Sequence, residues 1–319
     1  MSVGRCATAE QVPSVSAYKA GSLLARHLPV SFGNAASRLI GAGAALSPDR
    51  RIIVARNLER ALGRKMSAVE ERRRVAATFE WYARYYHESF RLPDLTAEQV
   101  DREFGYEGYA QIEAACESGQ GPILALPHLG TWEWAAFWLA LVPGYGVTGI
   151  VEALEPPELF EWFVGLRESM GMNIHPLGPD AGGECVRALN DGQVLCLLAD
   201  RDLQGNGIPV TFFGERTTLP GGPATLAFRT GSPLLPTAIY WKDGMRYAHV
   251  MPALDTERRG KFREDVTRVT QDIATAFEEL IRAAPEQWHM LQPNWPSDYI
   301  ALGEPVPAHL QALLDEDAK

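Results

Sequence analysis

The chain has 319 residues, 46% of them hydrophobic and 22% charged, an ordinary globular composition with length for one large domain or two modest ones. Its net charge of −10 argues against a nucleic-acid binder working through its whole surface. Four scattered cysteines (Cys6, Cys116, Cys185 and Cys196) have neither metal-ligand spacing nor the density of a disulfide framework, and they fit a reducing cytosol.

In chain order, the opening MSVGRCATAE lacks the apolar run of a secretory signal. Residues 14–28 and 32–46 are apolar but broken by Lys19, Arg26, Pro29 and Arg38, which predicts short amphipathic helices able to lie on a bilayer. Helices are predicted at 48–62, with arginines around one side, and at 67–91, with Ser67 as N-cap and Glu70 and Glu71 in the first turn. The second carries an aromatic stripe, Phe79 to Phe90, read as core packing. Residues 1–91 hold 15 Lys+Arg against 7 Asp+Glu, and the rest hold 15 against 33. Such a basic segment on an acidic protein points either to an anionic membrane surface or to solvated helix faces.

After Pro93 the texture alternates. Strands are predicted at 122–127, 146–151, 173–177, 193–199, 208–213, 233–240 and 246–252. Helices are predicted at 131–142, 156–171, 181–190, 220–230 and 265–284. The fold class is therefore α/β, with a mixed, partly parallel central sheet flanked by helices and an N-terminal helical segment. Two parts are expected: a basic, membrane-associating helical segment over 1–92, and an α/β body over 93–319 packed with it as one unit. The uncharged stretch 134–151 contains Pro143, Gly144 and Gly146, so it stops well short of the ~20 residues a membrane span needs.

G-x-S-x-G, P-loop, H-E-x-x-H and G-x-G-x-x-G motifs are absent, and the seven histidines suggest no metal site. What remains is the junction 122–134, PILALPHLGTWEW. A strand runs into His128, and Gly130 and Thr131 turn the chain into an apolar helix. Five helical residues span about 500°, so His128 and Glu133 meet only if His128 sits on the loop and Glu133 reaches back. A carboxylate on one imidazole nitrogen raises basicity at the other, as a general base requires. The spacing alone equally fits a strand-end histidine and a carboxylate favoured by the helix dipole.

The Pro-His-Leu-Gly-Thr-Trp-Glu run resembles the H-x4-[D/E] signature of the lysophospholipid acyltransferase superfamily. The chain looks most like the branch of bacterial lipid A late acyltransferases and actinobacterial phosphatidylinositol mannoside acyltransferases. The likeness runs almost end to end, through Asn57–Gly63, the YARYYHESFRLP stretch, Leu198–Asp202, Phe212–Glu215, Pro220–Ala224 and Pro285–His289. It implies transfer of a long acyl group from acyl-CoA, as co-substrate and with no cofactor, to a mannose hydroxyl of a glycolipid. The enzyme would sit peripherally on the cytoplasmic face of the cell membrane. His128 would be the base and Glu133 its orienting partner. Arg167 and Arg201 are candidates for steadying oxyanion or acceptor, with structural ion pairs as the alternative. Asp200 follows a buried-looking strand, and Asp202 could be a second carboxylate near His128, a sugar ligand or a turn former. Trp134, Phe137, Trp138 and Phe212 are candidate walls for the acyl chain, or core. His87 and His289 are read as surface or packing residues. Acyl transfer to another lipid or a lipid A-like acceptor, thioester hydrolysis and catalytically silent lipid binding are the rival functions.

Overall fold

The local signals in the N-terminal quarter become four helices in the computed structural model, which describes residues 15–27, 30–44, 46–152 and 155–317. Cys6 and the MSVGRCATAE stretch lie outside the described residues. The helices are α1 (Val15–His27), α2 (Val30–Ala44), α3 (Pro48–Leu62) and α4 (Ala68–Arg91). Ser67 caps α4 by accepting from the Glu70 amide, and Gly63 closes α3 at φ +66°. Small residues four apart seat α2 on α4. A Cβ at Gly41 would fall 2.6 Å from the Glu80 nitrogen, so only glycine permits this approach. Phe32, Leu39 and Ile40 of α2 stay exposed, as do Leu23 and Leu24 of α1.

The body continues with α5 (Ala97–Arg102), β1 (Phe104–Glu107), α6 (Ala110–Glu117), β2 (Ile123–Leu126), α7 (Trp132–Leu141), β3 (Val147–Val151) and α8 (Pro157–Glu168). Then come β4 (Met172–Pro176), α9 (Ala181–Asn190), β5 (Val194–Leu198), β6 (Ile208–Phe212), β7 (Glu215–Leu219) and α10 (Gly222–Thr230). β8 (Leu234–Lys242), β9 (Met245–Val250), α11 (Phe262–Ala283), α12 (Pro296–Leu302) and α13 (Ala308–Asp317) complete it. Seven strands form one sheet in the order β1-β9-β8-β2-β5-β3-β4, parallel throughout except the β8–β9 pair. This is the α/β class with a mixed, mostly parallel sheet that the alternation predicts. The strand expected at 208–213 instead pairs with β7 in a separate hairpin. β1, β7, α5, α6, α12 and α13 are elements beyond those the sequence pattern predicts.

Side chains alternate across each strand, so the sheet has two cores. Ile123 and Ala125 of β2 join Leu189, Ala227, Phe277 and Ile281 on one face. Leu124 and Leu126 join Trp134, Phe137 and Trp138 of α7 on the other. α11 earns its place by burying Val266, Val269, Ile273, Phe277 and Leu280, three or four residues apart on one stripe. Each such side chain contributes about 1.5–3 kcal/mol. Polar contacts tie α3 to the C-terminal part: Asn57 Nδ2 donates to the Met290 carbonyl at 2.9 Å, and Arg60 reaches Asp298 at 2.7 Å.

Candidate active site

β2 and β5 are adjacent and parallel, with Leu126 opposite Leu198. The ladder runs one step past both strands, the Ala199 amide donating to the Leu126 carbonyl at 2.9 Å. His128 and Asp200 each lie two residues beyond the paired leucines, so the register itself brings them level. His128 Nδ1 sits 2.5 Å from Asp200 Oδ1. The His128 backbone amide and Trp288 Nε1 donate to Oδ2 at 2.9 and 2.8 Å. Burial alone would push the Asp200 carboxyl up. The charge of His128 and the hydrogen bonds from His128 and Trp288 outweigh it and hold Asp200 below the usual carboxylate range. With Nδ1 occupied, Nε2 is the free nitrogen of a side chain still 26% exposed.

The loop that presents His128 is clamped from three sides. Gly130, at φ +62°, passes so close to β8 that a Cβ would stand 1.8 Å from the Ile239 carbonyl oxygen. Leu129 bridges to Trp288, the His289 amide donates to the His128 carbonyl at 2.7 Å, and the Gly130 amide donates to Gln287 at 2.9 Å. His289 Nε2 lies 3.1 Å from the Gly130 carbonyl, which makes it the donor. Burial drives the His289 pKa down to about 3, with His128 adding to the fall, so this imidazole stays neutral. His289 is thus buried beside the His128 loop. Neither its role in the clamp nor that of Trp288 carries a sequence signal beyond the Pro285–His289 likeness.

Glu133 does not meet His128. The helical turn that separates them by about 140° aims it elsewhere, and Arg167 of α8 takes it at 2.5 Å while the Tyr85 hydroxyl donates at 3.1 Å. Burial disfavours the charged guanidinium of Arg167, but Glu133 and Tyr85 more than offset that and raise its pKa. Arg167 is therefore an ion-pair partner that ties α8, α7 and α4 together, and Asp200 takes the orienting position expected of Glu133. Tyr85, read as plain core, stacks on Trp132 at 4.2 Å, and Trp132 meets the His128 ring edge-on at 5.6 Å. Arg201 pairs with Glu152 at 3.1 Å. Asp202 is not a second carboxylate on His128, since it accepts from the amides of Gln204, Gly205 and Gly207 and from Thr218, the bonding of a turn former.

Between α7 and the sheet lies an apolar cavity of about 870 Å³ including its open mouth. Leu126, Leu198 and Ile239 line the sheet side, and Trp132, Ala135, Ala136 and Trp138 the helix side. Trp132 joins the cavity to His128, since it lines the one and meets the ring of the other. Trp138 is the one expected wall residue found there. Trp134 lies under the Arg246 guanidinium at 3.7 Å, Phe137 is buried off the cavity, and Phe212 stacks on Trp295 at 5.5 Å in the core of the other face. An all-round apolar helix cannot reveal which side meets a hollow. Among the described residues, no three His, Cys, Asp or Glu groups converge as a metal site would require.

A histidine paired with a buried carboxylate at the carboxyl edge of a mostly parallel sheet, beside an apolar cavity, places a candidate active site where α/β enzymes usually carry theirs. The family model for bacterial lipid A biosynthesis acyltransferases matches residues 9–297. The phosphatidylinositol mannoside acyltransferase of Mycobacterium tuberculosis (strain CDC 1551 / Oshkosh) is 42% identical over 255 residues, 76% of each chain. That of Mycolicibacterium smegmatis is 36% identical over 307 residues, 92% of this chain and 95% of its own. The chain belongs to the bacterial lipid A biosynthesis acyltransferase family, and it is an acyltransferase.

Proposed function

We propose that the protein transfers a long-chain fatty acyl group from acyl-CoA to a mannose hydroxyl of a phosphatidylinositol mannoside. The names of its relatives support the acceptor. The observation that carries the chemistry is the His128–Asp200 pair, held rigid at the strand ends and joined through Trp132 to the apolar cavity. In this reading Nε2 of His128 takes the proton of the sugar hydroxyl as its oxygen attacks the thioester carbonyl. Asp200 stabilises the imidazolium that forms. The tetrahedral adduct collapses by breaking the C–S bond, and the imidazolium returns its proton to the departing thiolate, leaving ester and free CoA. The carbonyl must stand about 3–3.5 Å from the attacking oxygen, and in this reading the acyl chain runs on along Ala135, Ala136 and Trp138 of the cavity.

The protein works, in this reading, at an anionic membrane on the cytoplasmic face. Leu23, Leu24, Phe32, Leu39 and Ile40 are exposed on α1 and α2 among Lys19, Arg26 and Arg38, as on an interfacial helix pair. No described helix is long and apolar enough to cross a membrane. Purified enzyme mixed with palmitoyl-CoA and a panel of glycolipids tests the proposal by product mass. A phosphatidylinositol mannoside heavier by one acyl chain is expected. CoA released at the same rate without acceptor, and no acylated glycolipid, would make it a thioester hydrolase instead.

A further inference from the structure

Asp200 has two sides. Its carboxylate faces His128, while its backbone carbonyl accepts from Asn294 Nδ2 at 3.1 Å. Asn294 in turn borders a second hollow, a polar cleft of about 420 Å³ with its mouth, walled by Asp202, Leu203, Thr218, Tyr299 and His309. Five residues of chain thus pass from Leu198 on the apolar cavity, through Asp200 on the base, to Asp202 on the polar cleft.

The cleft's chemistry narrows its occupant. Asp202 is saturated by four donors from the chain and shapes the wall. Among the described residues, Asn294 Oδ1, the Tyr299 hydroxyl and the His309 ring make no hydrogen bond within the chain, yet all three residues line the same hollow. An amide, a phenol and an imidazole offer donors, acceptors and ring faces together, which suits a hydroxyl-rich ring. A phosphate would face the Asp202 carboxylate with no lysine or arginine in the lining, so the phosphates of CoA fit poorly.

We propose that this cleft is the subsite for a non-reacting hexose ring of the acceptor headgroup, held while the neighbouring ring presents its hydroxyl to His128. The proposal rests on the glycolipid-acceptor reading above. Contacts to a part of the substrate that does not react position it for chemistry.

Two measurements on the full-length enzyme test it. In the first, the KM for acceptors with one and with several mannoses is compared in wild type, Tyr299→Phe and His309→Ala, with the KM for palmitoyl-CoA as internal reference. Loss of one hydrogen bond predicts a rise of up to about tenfold for the larger acceptor in each variant, and little for the smaller. In the second, saturation-transfer NMR with free mannobiose should show binding to wild type that weakens in Tyr299→Phe and disappears in Leu203→Trp, which fills the mouth. Unchanged acceptor KM and unchanged mannobiose signal in Tyr299→Phe would overturn the subsite. Mannobiose binding that depends on Tyr299, in an enzyme acylating no glycolipid, would uphold the cleft and overturn the acceptor reading instead.

Discussion

The two faces of the central sheet are built from the same strands and differ in what their helices bring. On the α10–α11 face, Phe277, Ile281, Leu189 and Ala274 fill the space, with Trp288 and Trp295 closing the end. On the α7 face, Ala135 and Ala136 stand where large side chains would be needed, and the gap between helix and sheet stays open. A dense face holds the strand ends still, and a hollow face beside it accepts a chain. Dispersion and burial favour filling such a space, so leaving it open costs stability.

The largest break in that pairing comes at the rim. His128→Ala should lower acyl transfer by about 10²–10⁴-fold while circular dichroism remains native, because it removes the base and no core group. Asp200→Asn should follow it closely, since it loses the charge that stabilises the imidazolium. Glu133→Gln should hurt less, since Glu133 bonds Arg167 and Tyr85 rather than His128. A His128→Ala enzyme with most of its turnover would break the site assignment.

The same substitution on each face sharpens the contrast. Ala274→Phe forces a ring into a filled core and should cost about 1–3 kcal/mol or more, read as a lower urea midpoint. Ala136→Phe should cost less and move donor preference toward shorter acyl-CoA, read from rates across chain lengths. Equal destabilisation without a change in chain preference would mean the hollow is not the acyl site.

A smaller effect tests the clamp under His128. His289 titrates near 3 in the fold, below the ordinary 6.5, so the unfolded chain takes up a proton that the folded one refuses. Its contribution is full above about pH 6.5 and is lost as pH falls toward 3, by at most about 1.4 kcal/mol per pH unit. His87, also held low by burial and by neighbouring arginines, acts in the same direction. Urea midpoints at pH 7.5 and 5 should therefore converge partly in His289→Gln. The smallest effect is at the membrane: vesicle binding should rise with anionic lipid and fall with salt, at about 1 kcal/mol per Lys or Arg near the surface. Phe32→Glu with Ile40→Glu should weaken it in sedimentation assays.

Much was local enough to read directly. The apolar strand ending at His128, the glycine turn after it and the helix beyond are encoded in adjacent residues, as are the Ser67 cap and the α11 stripe. The 3.6- and 2-residue periods carry that information without any partner. The partner of His128 is another matter, because it lies 72 residues away and is chosen by which strand lies beside β2. Chain order shows that β2 and β5 exist, not that they are neighbours in register. Hence Glu133, close in sequence, looked like the partner, while Asp200 holds the place. Trp288, the Arg167–Glu133–Tyr85 link and the hollow beside Ala135 and Ala136 were settled in the same way. Each depends on distances between elements far apart in the chain, and those distances are set by packing.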